Sequence, residues 1–280
     1  LREPDFVSIK ANWEPKSGNI LEIAKELNIG LDSIVFVDDN PVEREEVKTV
    51  LPEVCCPDFP EDTACLEEFA NQLYLKYFYM DKTSEEDRQK TQMYQQNALR
   101  EDLKRKLGNI EDFIKDLKIR ITVQEAKEEN ISRIAQLTQK TNQFNLTGNR
   151  YNEAEILELI HGDNTDVFLG EVADRIGNNG ICLVCILRYT DTEALIDTFL
   201  MSCRVMGKQI EYYFMDYIIH SMKKRGIKKI IGIYKKTEKN MPCHEFLLKS
   251  GFSLLNGRHI LILDEYETNI VKSLMEVTAK

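Results

Sequence analysis

The stretch Ser33–Asn40, S-I-V-F-V-D-D-N, constrains the fold of this chain more than any other: four apolar residues run directly into two adjacent aspartates and an Asn, with a Pro next. A short unbroken apolar run rich in Ile, Val and Phe suits a strand buried on both faces of a parallel sheet. Asp38 and Asp39 then stand at its carboxyl end, the edge where open α/β sheets bind ligands. The next residues read as a helix start, with Asn40 as N-cap, Pro41 at the first helical position and Glu43 closing a capping box. Two carboxylates ~4 Å apart repel by ~4 kcal/mol at an effective dielectric of about 20, so the pair calls for a cation or a basic side chain nearby. Asp-Asn-Pro also makes an ordinary helix-capping loop, and the residues alone leave both readings open.

The flanking sequence continues the α/β alternation. An extended entry (Phe6–Ala11) precedes N-W-E-P-K-S-G-N, a helix over Ile20–Leu27 ends at Asn28 and Gly30, a helix runs from Pro41 to Val50, and Pro52–Pro57 reads as a short strand. These are too few elements for a free-standing doubly wound domain, so residues 1–61 read as part of a larger sheet. The chain enters this pattern at Leu1 rather than at a Met, and an upstream half is expected. Residues 62–108 read as a helical connector. Tyr74, Tyr77, Phe78 and Tyr79 close its first segment, and Thr83-Ser-Glu-Glu opens the second as a capping box.

From residue 109 an α+β unit is predicted. It has a short helix (Ile110–Leu117), a strand (Arg120–Gln124), a helix (Asn130–Thr141) and the run T-N-Q-F-N-L-T. Strands at Val167–Val172 and Ile181–Tyr189 follow, joined by a Gly/Asn-rich hairpin, then a strand at Ala194–Cys203. A helix comes next with Ile210, Tyr213, Phe214, Tyr217 and Ile218 on one face. The strand Lys228–Tyr234, a helix within Asn240–Ser250 and a strand pair around Asn256-Gly257 end the chain.

With 280 residues, 42% of them hydrophobic, the chain can bury two ordinary cores. No apolar run approaches the roughly 20 residues that span a bilayer, and the first residues lack a signal-peptide pattern, so a cytoplasmic protein without a membrane partner is expected. Seven cysteines, an odd number, suit reduced thiols. Cys182-x-x-Cys185 lies in an apolar strand with no second pair and reads as two buried small hydrophobes. A net charge of −10 argues against nucleic acid as a partner. The charge is uneven, however: Lys223–Lys249 holds nine Lys/Arg against Glu238 and Glu245. That stretch is either a solvated helix end and loop or a landing site for phosphates or an acidic partner.

N-W-E-P-K-S-G-N followed by I-V-F-V-D-D-N-P-V-E-R-E resembles the third and fourth motifs of haloacid-dehalogenase-like phosphatases, specifically the FkbH-like subfamily. T-N-Q-F-N-L-T, the hairpin D-R-I-G-N-N-G and S-C-R-V-M-G-K also resemble FkbH-like segments, so the likeness covers nearly the whole chain. It implies that Lys16 neutralises a nucleophilic aspartate and the transferring phosphoryl group, and that Asp38 and Asp39 support Mg²⁺. It further implies that a glyceryl unit passes from a phosphorylated three-carbon acyl donor, 1,3-bisphosphoglycerate, to a thiol and on to an acyl carrier protein. The chain departs from the pattern in one respect: it contains no D-x-D-x-T/V motif to supply the nucleophile and its acid/base partner. No phosphatase activity is expected from this polypeptide alone.

Residues 109–280 are similar to the GNAT acyltransferase fold, in which an R/Q-x-x-G-x-G/A turn cradles the coenzyme A pyrophosphate at a helix N-terminus. Here Arg204-Val-Met-Gly207-Lys-Gln209 keeps the Arg and first Gly and puts Gln209 in place of the last Gly. Asn240 opens a segment resembling the GNAT end motif, with Leu247 where many acetyltransferases carry an acid Tyr. Acetyl transfer from coenzyme A is therefore disfavoured, while a pantetheine arm on a carrier protein stays open, since it needs the cleft but no nucleotide pyrophosphate.

Cys203, at a strand end beside Arg204 and ahead of a helix N-terminus, is the expected nucleophile, with a lowered thiol pKa; a buried strand cysteine is the alternative. Gln143 and Asn145 could donate to an acyl oxygen or stitch a loop. His220 and His244 read as surface or core histidines. The candidate site residues are therefore Cys203, Lys16, Gln143, Asn145, Arg204, Gly207 and Asn240, with Asp38 and Asp39 for the metal. Three functions follow: acyl transfer through Cys203 to a carrier protein, a module that binds carrier protein or substrate without catalysis, or coenzyme A-dependent N-acetyl transfer.

Overall fold

A computed structural model describes residues 2–27, 29–79, 90–268, 270–271 and 273–280. The chain is mixed α/β and divides into two compact units, Leu1–Leu103 and Lys104–Lys280. The division falls inside the helix Lys90–Leu107, within the expected connector. The Thr83 capping box and the Asn28 helix end lie outside the described residues.

In the first unit, α1 (Lys16–Leu27) starts directly after Pro15 and α2 (Pro41–Val50) starts at its expected cap. The Asn40 side chain accepts from the Val42 N–H, satisfying one of the donors that a helix start leaves open. Ile20 of α1 and Val47 of α2 pack with Leu51 and Val54, and Ile34 and Phe36 close on this core. The apolar run of residues 34–37 does not form the strand expected of it. It makes one parallel bridge, Val35 to Cys55, with Phe36 N donating to Cys55 O (2.8 Å) and Cys55 N to Ile34 O (3.0 Å). Val37 is 41% exposed. A parallel strand is buried when strands flank both its edges and helices cover both its faces. Among the described residues only one edge is paired, which leaves the run half-covered. The connector gives α3 (Leu66–Leu73), a π turn at Tyr74–Phe78 and α4 (Lys90–Leu107).

The second unit begins with α5 (Ile110–Leu117), β1 (Arg120–Glu125) and α6 (Ile131–Lys140). Next comes α7 (Glu153–His161), started by a reciprocal capping box between Asn152 and Glu155. The strands β2 (Thr165–Ala173), β3 (Asn178–Tyr189) and β4 (Glu193–Met201) form a meander. Asp174 turns the first hairpin by accepting from the N–H groups of Ile176 and Gly177. The helix α8 (Ile210–Lys224), β5 (Lys229–Gly232), α9 (Phe246–Lys249), β6 (Ser253–Leu255), β7 (Arg258–Ile262) and β8 (Glu276–Ala279) complete the unit.

The eight strands make one sheet in the order β6-β7-β5-β4-β3-β2-β1-β8, antiparallel except at β4/β5 and β1/β8. Ile134 and Leu137 of α6 and Ile156 and Leu159 of α7 pack with Val167, Leu169, Val184, Ile186 and Leu200 of the sheet. Tyr213, Phe214, Ile218 and Met222 of α8 are buried, and Phe214 meets Phe199 with ring centroids 5.7 Å apart. Cys182 and Cys185 are fully buried in β3, the small hydrophobes expected of them.

Candidate functional site

β4 and β5 run side by side only over Glu193–Ile196 and Lys229–Gly232. Beyond that point β4 continues to Met201 with its β5-side edge unpaired by β5. The run T-N-Q-F-N-L-T supplies the missing partner. Leu146 N donates to Phe199 O (3.1 Å), Met201 N donates to Phe144 O (3.0 Å), and Leu146 O accepts from Lys235 N (2.8 Å) beyond β5. Residues 144–146 therefore fill the gap between the two strands as a short antiparallel insert. Phe144 anchors it beneath, its ring 5.3 Å from Phe246 and 6.2 Å from Phe199.

Asn240 locks the insert. Its amide donates to Asn145 O and Lys235 O (2.9 Å each), and its side-chain oxygen accepts from Thr237 N (2.8 Å) and the Tyr234 hydroxyl (3.1 Å). With two donations and two acceptances its hydrogen-bonding capacity is full and its exposure is 1%, so it has none left for a ligand. The expectation that Asn240 binds substrate is corrected accordingly.

At the carboxyl ends of the parallel pair a cleft of about 330 Å³ opens over the insert, lined by Thr141, Asn142, Asn145, Gly148, Arg150, Thr237, Glu238 and Lys239. Asn145 lies in its lining, and its side chain also holds the loop by accepting from Gly148 N (2.9 Å). Gln143 is exposed and outside the lining. Arg150, which sequence reasoning missed, donates to Thr138 O, Thr141 O and Asn142 Oδ1, holding its guanidinium across the end of α6.

A second polar group was also missed. The pairing of β3 with β4 slips between Ile186 and Leu187, leaving Asp197 as a bulge. Its carboxylate accepts from the Tyr151 hydroxyl (2.5 Å), Arg188 Nε (3.1 Å) and Thr198 Oγ1 (3.1 Å), while its backbone carbonyl accepts from Thr147 Oγ1 (2.9 Å) and Asn149 Nδ2 (3.0 Å). Burial, and then the adjacent Asp197, push the Tyr151 phenol up. Such a donor set orients a carboxylate and fastens the cleft loop to β4. No signal in the sequence marks a bulge.

Cys203 is not in the cleft lining. β4 ends at Met201, and Cys203 opens a one-turn 3₁₀ helix ending at Val205, seven residues ahead of α8. Although the residue is exposed, protein packed about its sulfur raises the thiol pKa. The Arg204 cation and nearby backbone N–H groups pull the other way and are outweighed. The expected lowering is thus reversed, because desolvation favours the neutral thiol and outweighs the cation and the N–H groups of the turn. Arg204 Nε reaches Cys182 Sγ at 3.4 Å. Gly207 (φ +73°) and Gln209 (φ +63°) are left-handed, and Lys208 between them is buried with Nζ donating to Arg204 O (3.1 Å). Leu247 is buried against Gly232. His220 Nδ1 sits 2.8 Å from Asp216 O, and His244 stacks edge-on to Tyr234.

In the first unit Lys16 opens α1 half-buried, and no hydrogen bond or ion pair joins it to Asp38 or Asp39 among the described residues. Arg44 lies beside the acidic pair, its Nη1 donating to the carbonyls of Asp38 (2.8 Å) and Asp39 (3.0 Å). Asp38 Oδ1 accepts from Asn40 N (2.9 Å). Among the described residues no three His, Cys, Asp or Glu side chains are grouped to hold a metal ion. The aspartate that would share Mg²⁺ in the phosphatase pattern has no counterpart in the sequence, so the residues present do not complete a Mg²⁺ site.

No family model and no curated protein matches the chain. Among solved structures, spermidine N-acetyltransferase SpeG from Vibrio cholerae is 14% identical over 52% of this chain and 95% of that one, with a TM-score of 0.41. The ribosomal-protein-S18-alanine N-acetyltransferase from Escherichia coli is 12% identical over 54% and 99%, with a TM-score of 0.40. The N-terminal part of protein BF1531 from Bacteroides fragilis, containing a phosphatase domain and complexed with Mg, is 41% identical over 30% of this chain, with a TM-score of 0.28. The chain spans 22% of the length of that BF1531 piece.

Proposed function

We propose that the second unit is an acyltransferase that passes a glyceryl or related small acyl group, delivered from a phosphorylated three-carbon donor, to the thiol of an acyl carrier protein. The observation that carries this reading is the polar cleft at the carboxyl ends of the β4/β5 pair, where strand ends and loops converge on a ligand. Lys235, Lys236 and Lys239 lie on the loop beyond β5 and have no carboxylate partner among the described residues, which suits the approach of an acidic carrier. Cys203 lies outside the cleft lining and its surroundings favour the thiol, so in this reading the carrier thiol attacks the acyl phosphate directly: the C–S bond forms as the bond from the acyl carbon to the phosphate oxygen breaks, and inorganic phosphate leaves with the thiol proton. The first unit lacks the nucleophile of its phosphatase-like motifs, and the chain alone does not hydrolyse phosphate esters. Intact-protein mass spectrometry of a carrier protein incubated with acyl phosphate donor and this chain tests the reading. Acyl loading is expected, and no loading above a chain-free control overturns it.

A second reading is coenzyme A-dependent N-acetyl transfer. It is favoured by the tight turn with left-handed Gly207 and Gln209 just before α8, the place of the R/Q-x-x-G-x-G/A turn in the acyltransferase pattern. Against it, the Lys208 side chain folds back onto the Arg204 carbonyl within the same turn. Calorimetry with coenzyme A tests it, and absence of binding dismisses it.

A further inference from the structure

We infer that a phosphopantetheine arm lies in the Thr141–Lys239 cleft, over the insert, rather than between β4 and β5. The inference rests on the acyl-transfer reading above and assigns a site within it. The gap between the strands is closed: the Phe199 carbonyl and Met201 N–H on the β4 edge already bond Leu146 and Phe144, and Asn240 clamps the Asn145 carbonyl. An extended amide chain laid along this edge would find those two β4 groups already taken.

The cleft above it offers what such an arm requires. Its volume of about 330 Å³ is at the lower end of the range for small-ligand pockets. Asn142, Thr141, Thr237 and Glu238 can serve amide and hydroxyl groups in both donor and acceptor senses. The lining holds no large apolar side chain, which excludes a fatty acyl tail. For the phosphate there are two cations: Arg150, held by three neutral oxygens and no carboxylate, and Lys239, without a carboxylate partner among the described residues. A guanidinium held in this way is preorganised for a phosphate. The single Glu238 leaves an excess of positive charge.

Calorimetry of the full chain with 4′-phosphopantetheine, unphosphorylated pantetheine and inorganic phosphate tests the assignment. 4′-Phosphopantetheine is expected to bind at least tenfold more tightly than either of the other two. Lys239→Gln and Asn142→Ala, both at exposed positions, are each expected to weaken it severalfold, and Arg150→Gln by tenfold or more where circular dichroism shows the fold intact. No binding, equal binding of inorganic phosphate, or full affinity in the Lys239→Gln/Asn142→Ala double variant would overturn it. Competition by holo carrier protein or by coenzyme A then identifies which molecule supplies the arm. Phosphopantetheine binding at the cleft without acyl loading would defeat the transferase reading alone. Acyl loading that ignores the cleft variants would defeat the site alone.

Discussion

Asn240 donates its side-chain amide to the backbone carbonyl of Asn145 at 2.9 Å, joining two loops 95 residues apart in sequence. Replacing it with Ala leaves the buried Asn145 carbonyl and the Lys235 carbonyl short of a donor and the Thr237 N–H and Tyr234 hydroxyl short of an acceptor. A loss of about 3 kcal/mol in urea denaturation is expected. Hydrogen exchange should quicken at residues 144–147 more than in α6. A change below about 0.5 kcal/mol would show that the insert does not depend on this clamp.

Glu211 begins the first turn of α8, with one carboxylate oxygen buried and unpartnered, and burial pushes its pKa up to about 7. A carboxyl raised above its unfolded value of ~4.3 contributes stability that is fully present below that value and lost as pH rises through 7. Unfolding free energy should therefore fall by roughly 3 to 3.5 kcal/mol between about pH 4 and pH 8 on account of this group. Glu211→Gln should flatten that slope and be the more stable protein at pH 8. Parallel slopes in the two proteins would refute the assignment.

For Cys203 the surroundings favour the thiol over the thiolate. Its alkylation by iodoacetamide, followed by peptide mass spectrometry, should show a pH midpoint above the ordinary thiol value of ~8.5. Cys203→Ala should retain acyl loading within about threefold of the parent, a difference under about 1 kcal/mol. A midpoint near neutrality would restore a nucleophilic role.

The Tyr151–Asp197 bond joins the cleft loop to the β4 bulge. Tyr151→Phe removes a hydrogen bond to a charged group and should cost about 1.5–3 kcal/mol. Asp197→Asn should cost a comparable amount, since its NH2 takes the place of one carboxylate oxygen, facing either Arg188 Nε or the Tyr151 and Thr198 hydroxyls, and the charge that strengthens all three bonds is gone. Thermal melts with both variants check this, and unchanged midpoints would show the cluster to be ornamental to stability.

Much of the second unit was legible because its signals are local. Ile110–Leu117 was placed at its true limits, and β1, β2, β3 and α8 followed from apolar periodicity and turn residues. The helix Glu153–His161 was missed although Asn152 and Glu155 spell a capping box in the sequence. The strand Glu276–Ala279 was missed because a short half-exposed segment has no pattern of its own. The site was less legible. Asn145 lies in the cleft lining with its side chain taken up by the loop, accepting from Gly148 N and donating to Thr141 O, whereas Arg150, Asp197 and the closing of the strand gap depend on pairings between distant residues.

The sequence by itself determined where helices begin, which faces are apolar, and that the Asp38–Asp39 pair follows an apolar run beside a capped helix. Backbone preferences and side-chain patterning act over a few residues and are written in the chain. Only the tertiary structure decided that this run is a single bridged edge, that residues 144–146 complete β4, and that desolvation outweighs Arg204 at Cys203. Edge pairing and burial are set by whichever distant segments arrive, and those fix both the hydrogen bonds left for a ligand and the charge a thiol can carry.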